Sequence, residues 1–193
     1  TSRNILVKVL TLTGVEAGEN KDIIADSILD WIDDDKNHRL NGAESEFYQG
    51  LTPPYFPKNA PIENLDELIK IRGIDKNILY GTDQHPGLNQ FFTVYNVERV
   101  NPNTSSLEIL SAAFSLPQAK MILKKRKKIG FYDSTKSNYF KVTSTGKIEG
   151  SATNHTIVAV MQKILKKNGP TILTHYWNDN SFLNTYNPEQ QTN

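Results

Sequence analysis

The sequence predicts an α+β chain: a helical domain over residues 1–135, a small antiparallel sheet over 136–180 and a polar tail at 181–193. Two observations carry this. Up to about residue 128, apolar side chains recur at helical spacing behind capping residues such as Asn20, Asn64, Asp75 and Ser105. Near Gly130 the composition changes, and Tyr139–Ile148 alternates like a strand.

Element by element, residues 1–20 give a mixed signal, Ile5, Val7, Val9 and Leu10 being followed by a loop around Gly14–Asn20. Lys21–Ile32 reads as a helix capped by Asn20. A polar acidic segment runs from Asp33 to Tyr48, and the prolines between Thr52 and Pro61 mark an extended loop. Asn64–Ile71 is a short helix, with Asn64 and Glu67 at capping-box spacing. Gly73 ends it, and Asp75 caps a further turn. Phe91–Val97 is β-prone. Ser105 and Glu108, again at capping-box spacing, introduce another helix, and Pro117 opens one that runs to Lys128. Asn168-Gly169-Pro170 is a turn and Ile172–Trp177 a last strand. His155–Leu165 fits a helical face as well as a strand.

The bulk numbers narrow the function classes. The 193 residues, 37% hydrophobic and 22% charged, describe a chain able to bury a core. With no cysteine, disulfides, zinc–thiolate sites and cysteine nucleophiles are excluded. No apolar run reaches the roughly 18 residues of a membrane span. The chain opens at Thr1 rather than Met and reads as a fragment or processed product. None of His38, His85, His155 and His175 forms a helical zinc motif, and no nucleophile elbow or phosphate-binding glycine loop is present. Clustered acids could serve a glycosidase, but without a recognisable cleft they fit a cation site better. The expectation is a non-enzymatic protein.

The densest chemistry lies between Asp30 and Glu46. Asp30, Asp33, Asp34, Asp35, Glu44 and Glu46 face only Lys36 and Arg39. Asp26, Asp30 and Asp33 share one side of a helix whose C-terminal end disfavours anions, so something must offset their repulsion. With Asp33 as position 1, Asp35, Asn37 and Glu44 fall at positions 3, 5 and 12, the side-chain oxygen positions of an EF-hand-like calcium loop. Leu40, at position 8, is expected in the core. His38 replaces the usual turn glycine at position 6, so the expectation is an oxygen-ligand Ca2+ loop rather than a true EF-hand. A solvated acidic loop between two helices is the other reading of the same residues.

Leu68–Asp75 looks like the turn of a helix–hairpin–helix, where a glycine allows backbone amides to face a phosphate. Residues 103–128 offer a second such passage, ending in Lys124-Lys125-Arg126-Lys127-Lys128. Together they suggest an alternative function, non-specific nucleic-acid binding. The formal charge of +1 and the acidic loop oppose it, and cations at a helix C-terminus also complement its dipole.

The ordered series Asp30-Trp31-Ile32-Asp33-Asp34-Asp35, Asn41-Gly42-Ala43-Glu44, Pro53-Pro54-Tyr55, Asn59-Ala60-Pro61-Ile62, Glu67-Leu68 and Ile71-Arg72-Gly73-Ile74 resembles the K-type minor pseudopilins of type II (general) secretion. Val100–Thr104 with Glu108-Ile109-Leu110, and Ser137–Val142, are similar to later motifs of that family. The resemblance covers about Val9 to Trp177. It implies a pilin-like fold carrying an inserted helical domain, and a place at the pseudopilus tip with minor pseudopilins of the I and J types. It also implies a periplasmic location, anchored at the inner membrane by an N-terminal helix that this chain lacks. It implies calcium in the helical domain, with Asp33, Asp35 and Glu44 at the family's acidic positions; Asn37 rests on spacing alone. It tips His155–Leu165 toward strand. The first pilin strand is not evident before Val9.

Overall fold

The computed structural model describes residues 3–16, 18–95, 99–150 and 154–179. The chain divides into two compact units, Thr1–Tyr132 and Asp133–Asn193. The α+β expectation holds: helices come first and a three-stranded antiparallel sheet follows. The tail expected at 181–193 lies outside the described residues.

Helix α1 spans Arg3–Leu12 and resolves the mixed N-terminal signal. Its β-branched residues alternate as well as recur helically, so periodicity could not decide. Burial does, because Leu6, Val9 and Leu10 fall on one helical face and enter the core. Helix α2, Glu19–Ile32, packs against α1 and buries Ile24, Ala25, Ile28 and Trp31. It starts earlier than expected: Gly18, not Asn20, is its N-cap, with no capping side chain. Helix α3 is Ser45–Gln49 and buries Tyr48.

Trp31, Tyr48 and Tyr55 form an aromatic cluster, with Trp31 and Tyr48 edge to face at 5.2 Å. Such a pair adds about 0.5–1.5 kcal/mol to the area it buries. Trp31 Nε1 donates to Glu67 Oε1 at 2.8 Å, and Lys58 bonds the other Glu67 oxygen. Glu67 therefore serves the core indole rather than a capping box. Asn64 does cap, accepting from the Asp66 N–H, but the element it starts, Leu65–Lys70, is a 3₁₀ helix.

Gly73 turns the chain at φ +84°, and a Cβ there would meet Ile24 Cγ1 at 2.8 Å. Only glycine meets both demands. Asp75 caps helix α4, Lys76–Tyr80, as expected, accepting from the Ile78 N–H at 2.8 Å. A 3₁₀ turn follows at Leu88–Gln90.

The strand expected at Phe91–Val97 is not present over Phe91–Tyr95, where the chain makes turns and bends; Asn96 and Val97 lie outside the described residues. The Phe91 and Phe92 N–H groups both bond Leu88 O, and both rings pack on the core. Anchoring apolar side chains explains the β-prone composition without a partner strand.

Helices α5, Leu107–Ala113, and α6, Leu116–Ile129, close the first unit. The α5 cap is Ser106, one residue beyond the expected Ser105. Ser105 instead presents its carbonyl to Arg126 Nη1 at 2.9 Å. Ser115 caps α6, and Gly130 ends it in the left-handed conformation.

In the second unit, β1 (Tyr139–Lys147), β2 (Asn154–Lys166) and β3 (Gly169–Asn178) lie in sequence order. The ambiguous segment 155–165 is strand. Val142 pairs Ala159, which pairs Trp177, so these three share one face. Met161 pairs Thr174 while Val160 pairs Tyr176, leaving His175 as the extra residue of a bulge. His175 Nε2 lies 2.8 Å from Gln162 Oε1.

Candidate functional site

The acidic loop begins where α2 ends. The Asp33 N–H bonds Leu29 O at 3.1 Å, and its extended backbone carries the chain away from the helix axis. The chain then turns back over Asp30. The Arg39 N–H reaches both Asp30 oxygens, at 3.3 and 3.1 Å, and Gly42 N–H bonds Arg39 O at 3.0 Å. Gly42 is held to glycine by proximity: a Cβ would fall 1.8 Å from Asp30 Oδ2. Arg72 Nη1 donates to Gly42 O at 3.1 Å and its guanidinium lies over the Phe47 ring, fixing the loop from outside.

The repulsion among the α2 carboxylates is offset by arginines. Arg39 Nη1 binds Asp30 Oδ1 at 2.5 Å and Asp33 Oδ2 at 2.6 Å. Arg3 binds Asp22 and Asp26, and Asn41 Nδ2 donates to Asp26. Burial opposes ionisation of Asp26, but the Arg3 and Asn41 bonds prevail and hold its carboxyl below the usual range. The bonds to Asp33 and Asp30 likewise raise the Arg39 guanidinium against its own desolvation.

One acid is not provided for. Glu44 is 5% exposed, and neither carboxylate oxygen has a hydrogen-bond partner. Burial raises its pKa; its own backbone neighbour Ser45 opposes the rise, the Asp30 and Asp33 charges add to it, and the nearby Asn59 amide offsets part. Asp33 Oδ1 and Asn59 Oδ1 are also buried without partners. Asn59 is placed by Nδ2 donating to Asp35 O at 2.8 Å, at a backbone φ of 46°.

Of the expected ligands, Asp33 and Glu44 each hold a buried oxygen without a partner, and the Asp33 charge is felt at Glu44. Asp35 and Asn37 are exposed, and Asp35 Oδ1 accepts the Asn37 N–H at 2.7 Å. Leu40, expected in the core, is 92% exposed. Ala43 and Glu44 take the inward positions because the turn over Asp30 swings Leu40 out. Sequence spacing missed Asp30 and Asn59. The signal for Asn59 was its place in Asn59-Ala60-Pro61, since asparagine tolerates the left-handed backbone a sharp turn needs.

Among the described residues, no group of three or more His, Cys, Asp or Glu side chains is arranged to hold a metal. Hard cations, however, also take amide and carbonyl oxygens. Asp33 Oδ1, both Glu44 oxygens and Asn59 Oδ1 are four buried acceptors without partners, oxygen groups whose chemistry fits such an ion.

Among the described residues no helix is long and apolar enough to cross a membrane. Residues 2–81 match the family described as type II secretion system (T2SS), protein K. Protein K of Klebsiella pneumoniae is 29% identical over 108 residues, 54% of this chain and 33% of that protein. A putative protein K of Escherichia coli K12 is 43% identical over 70 residues, 36% of this chain and 21% of that protein. The chain thus spans about a third or less of these relatives' length. Its fold is shared with a chain in the crystal structure of the GspK-GspI-GspJ complex from the enterotoxigenic Escherichia coli Type 2 Secretion System. The TM-score is 0.59 at 18% identity, over 93% of this chain and 70% of that one. Over residues 2–81 the chain is thus similar to type II secretion system protein K.

Proposed function

We propose that the chain is part of a minor pseudopilin at the tip of the type II secretion pseudopilus. Its role is assembly of the filament for protein export through protein–protein contact, rather than catalysis. Its partners are minor pseudopilins of the I and J types, at the periplasmic face of an inner membrane. The observation that carries this reading is the relation of residues 2–81 to protein K, supported by a shared fold with a chain from a GspK-GspI-GspJ complex. The test is co-purification with I- and J-type pseudopilins, with and without chelator. A stable complex is expected, and failure to form any would overturn the tip-subunit role.

Within that role, calcium holds the loop after α2. Asp33, Glu44 and Asn59 are the proposed ligands because their buried oxygens lack partners; Asp35 and Asn37 are the ligands that spacing adds. The ion would supply the positive charge that Glu44 lacks, fixing Ala43 and Glu44 against the core. A ligand that binds only the folded chain must stabilise it. The melting midpoint should therefore rise with added calcium and fall with EDTA, and an unchanged midpoint would remove calcium from the account.

A further inference from the structure

Helix α6 carries a charge pattern that neither the fold nor the loop uses. Between Glu108 and Asp133 the chain has no acidic residue. Lys120, Lys124, Lys125, Arg126, Lys127 and Lys128 give that stretch +6, against +1 for the whole chain, so all the rest sums to −5. At 3.6 residues per turn, Lys120, Lys124, Lys127 and Lys128 share the face opposite buried Ala119 and Ile122. All four are exposed and have no ion-pair partner among the described residues.

The dipole of α6 accounts for cations in its last turn only. It does not explain Lys120 and Lys124, nor the apolar side chains set among the lysines. Met121 is 53% exposed, Leu116 50% and Phe131 55%. The one arginine is turned inward, bonding Pro102 O and Ser105 O, so the outer face offers ammonium groups on flexible stems rather than guanidinium forks. Forks are the group suited to bidentate recognition of nucleic-acid phosphates. Lysine stems bracketed by exposed apolar residues suit a bilayer interface, where ammoniums reach lipid phosphates and the apolar side chains enter the acyl boundary.

We propose that the outer face of α6, with Phe131, is a docking surface for an anionic phospholipid bilayer. Charge complementarity sets the sign of the lipid, and the interleaved apolar groups distinguish a bilayer from a dissolved polyanion. The surface is reversible and separate from any membrane-spanning anchor, because no described helix is long and apolar enough to span.

The test is flotation of the 193-residue chain with vesicles of phosphatidylcholine alone or mixed with phosphatidylglycerol. Binding is expected only to the mixed vesicles, weakening as salt rises. Each lysine neutralised among Lys120→Gln, Lys124→Gln, Lys127→Gln and Lys128→Gln should weaken it about fivefold. Met121→Ser with Phe131→Ser should also weaken it while leaving the melting midpoint unchanged, since both side chains are exposed. Equal flotation with both vesicle types, or undiminished binding by the quadruple lysine variant, would overturn the proposal. So would displacement of wild-type chain from vesicles by duplex DNA combined with unchanged binding of the Met121/Phe131 variant, which would assign the face to a polyanion. The wild-type comparison of two lipids needs no variant to fold.

Discussion

Gly42 and Glu44 hold the two opposite extremes of the acidic loop: one position where no side chain fits, one where a side chain fits without partners. Gly42→Ala would push a methyl group against the buried Asp30 carboxylate and should cost about 1–3 kcal/mol in urea unfolding, with loss of the calcium response proposed for the loop. Glu44 carries the pH prediction. Its folded pKa is raised, so the folded chain holds that proton more tightly than the unfolded one. In chelator, its contribution is best below the unfolded value and is lost as pH rises through the higher folded value. Glu44→Gln should therefore melt at or above wild type in EDTA at neutral pH, yet fail to gain from calcium. A variant that gains as much as wild type would show that Glu44 is not a ligand. Asp33 and Glu44 were expected from spacing, and both lie at ends of the loop, next to helices. Asn59 was not, since its proximity depends on how residues 50–60 return across the loop.

Helix starts were legible as types but not always as positions. Asp75 and Ser115 cap where the chain needs an acceptor for free N–H groups. At α5 two adjacent serines compete. Sequence favours Ser105 through its spacing to Glu108, but Arg126 takes the Ser105 carbonyl and leaves Ser106 to accept from Ile109. Ser106→Ala should thus cost about 0.5–2 kcal/mol, whereas Ser105→Ala should change the denaturation midpoint little. The reverse order would restore the sequence-based cap. The same tertiary override removes the strand expected after Leu88, where Phe91 and Phe92 meet the core of the first unit instead of a neighbouring strand.

At the scale of the molecule, the two units each hold one tryptophan. Trp31 is buried beside the loop's helix, and Trp177 lies exposed on β3. Trp177→Phe leaves Trp31 as sole reporter of the first unit. Its unfolding transition, followed by emission, should shift up with calcium and down with EDTA, and an unmoved transition would contradict calcium binding there. The sequence by itself determined the α+β order, the change of character near residue 130, the turn at Gly73 and the acidic concentration after α2, because periodicity, capping chemistry and charge are local properties of the chain. Only the tertiary structure decided that residues 3–12 are helix, that Leu40 points outward, and that Arg3 and Arg39 neutralise the α2 carboxylates. It also decided that Asp33, Glu44 and Asn59 hold buried oxygens without partners. The reason is the same in each case: burial and ion pairing depend on residues distant in sequence, and a side chain's energy is set by what the fold places against it.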